Sequence, residues 1–284
     1  MGTSLPVFPA GSRHPDNLGA MEAREFLGIE QIAESRFRLK VTEKVITPGQ
    51  FLFGGCALGA ALVALEEVTQ RPTIWASAHY LSYAPTGSVV EFDVIPAVVG
   101  GHVTQARATA HIGDKEILTI NAALGTGTLT SPTPWVTMPT VAAPDECPPR
   151  RIPRQMGESI FTNLDTRVAL GRTFDELDGT PGSTQSALWV RLPGQLTTSA
   201  ATLAIFGDYV SGGNSEPLGL RVMGRSLDNT IRIANLAPTE WVLVDIQMHA
   251  LVGGFAQGIG FLWSQDGQLL GTASQTIAAK IWEG

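Results

Sequence analysis

The chain has 284 residues, 44% of them hydrophobic and 16% charged, so it is long enough to bury one large or two ordinary cores without metals or disulfides and is not the composition of a largely disordered protein. A formal charge of -7 leaves no electrostatic grip on nucleic acid, where binding requires several phosphates to be neutralised. The densest basic run, PPRRIPRQ, has arginines that could meet an anionic ligand and reads more simply as a solvated linker.

Residues 1–22 are rich in Pro, Gly and polar groups and read as a loose leader without the basic start and apolar stretch of a signal peptide. AREFLGIEQIAES (23–35) begins with helical spacing, and RFRLKVTEK (36–44) alternates as a strand does. FLFGGCALGAALVALEEVTQ (51–70) is apolar nearly all round. Its longest apolar run is too short to span a bilayer, so it predicts a helix buried on most sides. TIWASAHYLSYA, SVVEFDVIPAVV, HVTQARATAHIG and EILTINAALG then predict a four-strand meander, punctuated by PTG, GG and GDK turns. Residues 127–153 are dense in proline, which removes backbone donors and favours extended chain, and mark the linker between an N-terminal unit (23–126) and a C-terminal unit (154–284).

The second unit repeats the order. FTNLDTRVALG and SALWVRLPG read as strands and TLAIFGDYVSGG as a shorter helix. SLDNTIRIANLA, EWVLVDIQMHALV, FAQGIGFLWSQ and LLGTASQTIAAKIW read as the strands that follow. The likeness extends to the letters: APTGSVVEFDVIPAVVGG (84–101) and APTEWVLVDIQMHALVGG (237–254) agree at eight of eighteen positions at an offset of 153. At that offset LFGG lies under IFGD, and at 152 GDKEIL lies under QDGQLL, so helix, turn and strand are all duplicated. A long apolar helix buries its whole surface only if a curved sheet wraps it. The expected fold is therefore α+β, a double hotdog of two tandem units, each a curved antiparallel sheet around a buried helix.

Duplication also points to function, because a position polar in only one copy is one where the fold does not demand polarity. Asp208 stands over Gly55, Ser226 over Thr73, and Gln275 over Ala123. The carboxylate is the most informative, since a buried ionised Asp is costly unless it is hydrogen-bonded or used; its plainer alternative is a solvated residue capping a short helix. Gln275 and Ser226 could singly be ordinary strand residues.

These residues carry a resemblance. IFGDYVSGG, SLDNTIRI, EWVL and SQDGQLLGTASQ in the second half, with FLGIEQIAESRFR and FLFGGCALGAALVAL in the first, resemble the acyl-CoA thioesterase II family of double hotdog proteins. The resemblance implies an acyl-CoA substrate and a trio that holds the hydrolytic water, carried onto Asp208, Ser226 and Gln275. No cofactor is implied. LDNTIRI departs from a family pattern that often has a histidine and an aromatic there, which bears on the acyl or thiol pocket. The backbone amides of Gly54 and Gly55, or those of their second-half counterparts, are candidate oxyanion donors.

Competing readings are an acyl-thioester binding protein without turnover and an enoyl-thioester hydratase, which pairs an Asp with a His a few residues away. No histidine follows Asp208 closely, and the histidine spacing matches no metal site. Cys56 opens a helix, a setting that lowers a thiol pKa, and is a further conceivable nucleophile; it reads more simply as a small buried residue. Cys56 and Cys147 lie in unlike surroundings, so a reducing, cytoplasmic compartment is expected. Hotdog units pair through their sheets, so a homodimer of double hotdogs is a further expectation.

Overall fold

The structure is a computed structural model and describes residues 22–129, 135–151, 157–191 and 197–282. The leader proposed for residues 1–22 therefore lies almost entirely outside the described residues. In the first half α1 (Ala23–Leu27) leads into β1 (Ile29–Ala33) and β2 (Arg36–Lys40), and then comes the long helix α2 (Gly54–Thr69). The strands β3 (Thr73–Tyr80), β4 (Val89–Val99), β5 (Val103–Ile112) and β6 (Lys115–Gly125) follow. The second half contains α3 (Ile160–Asn163), β7 (Asp165–Leu170), β8 (Gln185–Arg191) and α4 (Ala200–Gly207). A 3-10 segment, Asp208–Asn214, continues α4 and runs into α5 (Ser215–Leu218). The remaining strands are β9 (Val222–Ser226), β10 (Asp228–Ile233), β11 (Val242–Val252), β12 (Phe255–Ser264) and β13 (Leu269–Ile281).

All the strands form one antiparallel sheet in the order β1-β2-β4-β5-β6-β3-β10-β13-β12-β11-β8-β7, with β9 added on β13. Read outward from the middle, the two halves have the same order, so the duplicated sequence has folded twice about a local two-fold axis. The axis crosses the β3–β10 pair, where Ser77 lies opposite Thr230. Their hydroxyls bond at 2.8 Å, and the two positions are 153 apart, the offset of the sequence repeat.

Helix α2 buries Leu58, Leu62 and Leu65 completely against the curved sheet, each worth roughly 1.5–3 kcal/mol of apolar transfer. It ends at Gln70, whose left-handed conformation lets its N–H bond Glu66 O at 2.8 Å. Helix α4 is opened by Ser199, whose Oγ accepts the Thr202 N–H at 3.1 Å. The two helices cross closely because α2 presents glycine. A Cβ at Gly55 would stand 2.8 Å from Ala204 O and from Asp208 Cβ, too close for any side chain without backbone movement.

Several local expectations are corrected. The strand order is not a plain meander: β3 lies beyond β6, because the strand after the helix enters the sheet at the centre, where it meets its duplicate. The helical spacing of 23–35 gives only the five residues of α1, since Gly28 takes a left-handed conformation (φ 66) and stops the helix. FTNLDTRVALG begins as one helical turn, α3, before β7. An extra strand, β9, precedes β10, in the stretch between TLAIFGDYVSGG and SLDNTIRIANLA to which no element was assigned. The part of the connector at 135–151 is not a free linker, because it packs as a strap on the second half. There Met138, Val141 and Cys147 join Trp189, Trp241 and Trp263 in a second small core, and the Trp189 indole donates to Ala142 O at 3.0 Å. Arg150 and Pro149 pair with β7, placing proline along an edge that would otherwise be open to another chain.

Candidate active site

The C-terminus of α4, the N-terminus of α2 and the centre of the sheet converge on one carboxylate. Asp208 ends α4 and is 4% exposed. Its Oδ2 accepts the backbone N–H of Gly55 at 2.7 Å, in the first turn of α2, where the unpaired amides and the helix dipole favour negative charge. Its Oδ1 accepts from Asn229 Nδ2 at 3.3 Å and from Gln275 Nε2. Asn229 projects from β10 and Gln275 from β13; both are buried.

Burial outweighs these three donors. Desolvation raises the Asp208 carboxyl to about 7, while the bonds from Gly55, Gln275 and Asn229 pull the other way. A base poised there exchanges a proton readily at neutral pH.

The surrounding polar atoms are incompletely paired. Gln275 Oε1, Asn229 Oδ1 and the Tyr80 hydroxyl are all buried without a hydrogen-bond partner among the described residues. Unpaired buried acceptors and donors are costly, and their gathering around one ionisable group marks a place for a polar guest. Gly54 keeps that place open, since a Cβ there would lie 2.9 Å from both Asp208 Oδ2 and the Tyr80 hydroxyl.

Of the residues expected from sequence, Asp208 and Gln275 meet directly. Ser226 stands half-buried at the end of β9, opposite Ile277 and two residues along β13 from Gln275; the structure gives its hydroxyl no bond to Asp208. The third side chain on the carboxylate is instead Asn229, inside the LDNTIRI stretch. It stands over Ala76 at the 153 offset and could have been found by the same comparison of copies. Tyr80 carried no such signal, because its nearness depends on how β3 crosses to the second half.

Gly55 is removed as an oxyanion donor, since its N–H is already given to Asp208, whereas the Gly54 amide has no hydrogen bond among the described residues. Cys56 is fully buried, and burial together with the Asp208 charge raises its thiol pKa well above the usual value, the reverse of a nucleophilic thiolate. None of the Asp208 partners is a histidine. Among the described residues no helix is long and apolar enough to cross a membrane.

Residues 144–279 match the family model of the acyl-CoA thioesterase C-terminal domain. In solved structures the chain resembles a candidate thioesterase from Novosphingobium aromaticivorans at 29% identity and TM-score 0.79, covering 90% of this chain and 98% of that one. It also resembles the acyl-CoA thioesterase II TesB2 of Mycobacterium marinum, at 22% identity and TM-score 0.72 over 92% and 99% of the two chains. A tesB protein of Mycobacterium avium subs paratuberculosis shares 15% identity with TM-score 0.73 over 91% and 98%. No curated protein matches the chain in sequence.

Proposed function

We propose, from the match of residues 144–279 to the acyl-CoA thioesterase C-terminal domain and the double hotdog fold shared with acyl-CoA thioesterase II structures, that the chain cleaves acyl-CoA by direct attack of a water held at Asp208, Gln275 and Ser226. The observation that carries this reading is the buried carboxylate raised to about 7, ringed by polar atoms without partners.

A thioester needs little more than an oriented water and a base, because sulfur overlaps weakly with the carbonyl and leaves readily as thiolate. Asp208 accepts the water's proton as the water oxygen bonds to the carbonyl carbon. Gln275 holds the carboxylate through Nε2 and offers its unpaired Oε1 to the water. Ser226, on the adjoining strand, supplies a further hydroxyl to the same space. Collapse of the tetrahedral intermediate breaks the C–S bond, and the proton on Asp208 passes to the departing thiolate, which releases free acid and CoA. The amide of Gly54, at the start of α2, is the backbone donor suited to the oxyanion.

The test is thiol release from a panel of acyl-CoAs by the wild type and Asp208→Asn. Turnover by the wild type and a loss of about a hundredfold or more in kcat in the variant are expected. Tight acyl-CoA binding with no thiol released at any chain length would overturn hydrolysis in favour of a binding role, and unchanged turnover in the variant would remove Asp208 as the base.

A further inference from the structure

The polar atoms left without partners beside Asp208 sort by kind. Gln275 Oε1 and Asn229 Oδ1 are amide oxygens and can only accept, which suits them to the protons of a water. The Tyr80 hydroxyl can donate, as can the Gly54 amide, which has no hydrogen bond among the described residues. Neither of these donors is spent on the carboxylate, whose bonds come from Gly55, Asn229 and Gln275. Acceptors for a water thus stand beside donors for a group that accepts.

The fold aims both donors at one place. Tyr80 is the last residue of β3, and its N–H bonds Leu227 O at 3.0 Å, which ties the strand end to the turn between β9 and β10. Ala76 and Ala78 are buried, and the two-residue alternation of a strand turns Tyr80 to the same face. Asn229, opposite Ala78 on β10, shares that face. A Cβ at Gly54 would lie 2.9 Å from the Tyr80 hydroxyl and 2.9 Å from Asp208 Oδ2. By covalent geometry the Gly54 nitrogen and the phenol oxygen are then at most roughly 5.5 Å apart, within reach of one shared acceptor about 3 Å from each. Burial, and after it the charge of Asp208, raise the phenol's pKa well above its usual value, so the hydroxyl keeps its proton at neutral pH. Asn229 pulls the other way without forming a hydrogen bond to the hydroxyl.

A thioester carbonyl is a weak acceptor until water adds and its oxygen becomes an oxyanion, and preorganised donors stabilise the second form far more than the first. We propose, resting on the thioesterase reading above, that Tyr80 is a further catalytic residue, its hydroxyl and the Gly54 amide together forming the oxyanion hole. The phenol donates a hydrogen bond and does not transfer its proton. The second half then holds the water and its base, and the first half supplies both donors to the carbonyl oxygen.

The experiment measures kcat and KM of the wild type and Tyr80→Phe on the fastest acyl-CoA of the panel above, with thermal melting of both. It also records the infrared carbonyl stretch of a bound ketone analogue of hexanoyl-CoA, in which a methylene separates carbonyl from sulfur and prevents cleavage. Tyr80→Phe should lower kcat by about a hundredfold with KM nearly unchanged. Its melting temperature should not fall, because the hydroxyl it removes is buried and unpaired. The ketone stretch should lie lower on the wild type than in water and return part of the way in the variant. A loss of kcat under about tenfold, or one carried by KM alone, overturns the proposal and leaves the hydrolase intact. A larger loss with an unmoved ketone stretch makes the hydroxyl structural and overturns it too. If the wild type cleaves no thioester the hydrolase reading fails, and the stretch then decides: a downshift that shrinks in Tyr80→Phe upholds the donor pair, and its absence overturns it.

Discussion

The two halves of this molecule are built to one plan and differ at matching buried positions. Helix α2 has 16 residues and only apolar or small residues among those it buries, whereas α4 has eight and gives way to a 3-10 segment that opens with Asp208. Where the second half places Asp208, Asn229 and Gln275, the first half has Gly55, Ala76 and, at an offset of 152 or 153, Ala123 or Ala122, all buried. The copy without the buried polar side chains still takes part. Its Gly55 supplies the amide that holds Asp208, and its Tyr80 stands over the opening. A duplicated fold therefore makes one site from two units: one loses its polar groups and becomes the wall and helix terminus for the other.

The largest expected effect breaks the asymmetry outright. Asp208→Asn, which lowers kcat by about a hundredfold or more, should also stabilise the fold in alkali. Because the folded carboxyl is raised from 3.8 to about 7, its contribution to stability is complete below the lower value and is lost as pH rises through the upper one. The stability of the variant relative to the wild type should therefore rise as pH passes upward through about 7 and fall again in acid. A melting difference independent of pH would deny that the wild-type carboxylate is strained by burial. With Asp208 as the proposed base, kcat/KM should rise with pH and level off above about 7.

Gly55→Ala tests what the silent half contributes. The added methyl meets Ala204 O and Ile205 Cα, and overpacking of this kind costs about 1–3 kcal/mol. Displacing the Gly55 amide should also move the pH midpoint upward, since that bond is the strongest of those lowering the Asp208 pKa. A lower melting temperature with an unmoved midpoint would mean that the amide merely packs.

Gln275→Ala should cost about tenfold in kcat/KM and also raise the midpoint, as its bond stabilises the carboxylate. Ser226→Ala is expected to have the smallest effect, roughly two- to fivefold, because its hydroxyl has no bond to Asp208 and in the proposed mechanism touches only the water. A Ser226 loss as large as that of Gln275 would make the two equal partners in positioning the water.

Much of this was legible from the letters. The repeat APTGSVVEFDVIPAVVGG and APTEWVLVDIQMHALVGG announced two copies, and the all-round apolar character of 51–70 required a sheet to wrap it. Comparing the copies isolated Asp208 and Gln275, which the fold then joined. Strand order was not legible, because the place of β3 at the centre depends on pairing with a strand more than a hundred residues away. Nor was the inward turn of Arg150: a proline-rich basic segment looks solvated until the rings of Phe174 and Tyr209 are set beside it.

By itself the sequence determined the duplication, the buried helix and the half that holds the carboxylate, because periodicity, apolar character and repeat offset are properties of neighbours along the chain. Only the tertiary structure decided that Asp208 is shut away from water and bonded to an amide 153 residues distant. Its proton affinity follows from that enclosure. A carboxylate's pKa depends on how much solvent it loses and which donors replace it, and both come from parts of the chain that meet only once the sheet has closed on its two helices.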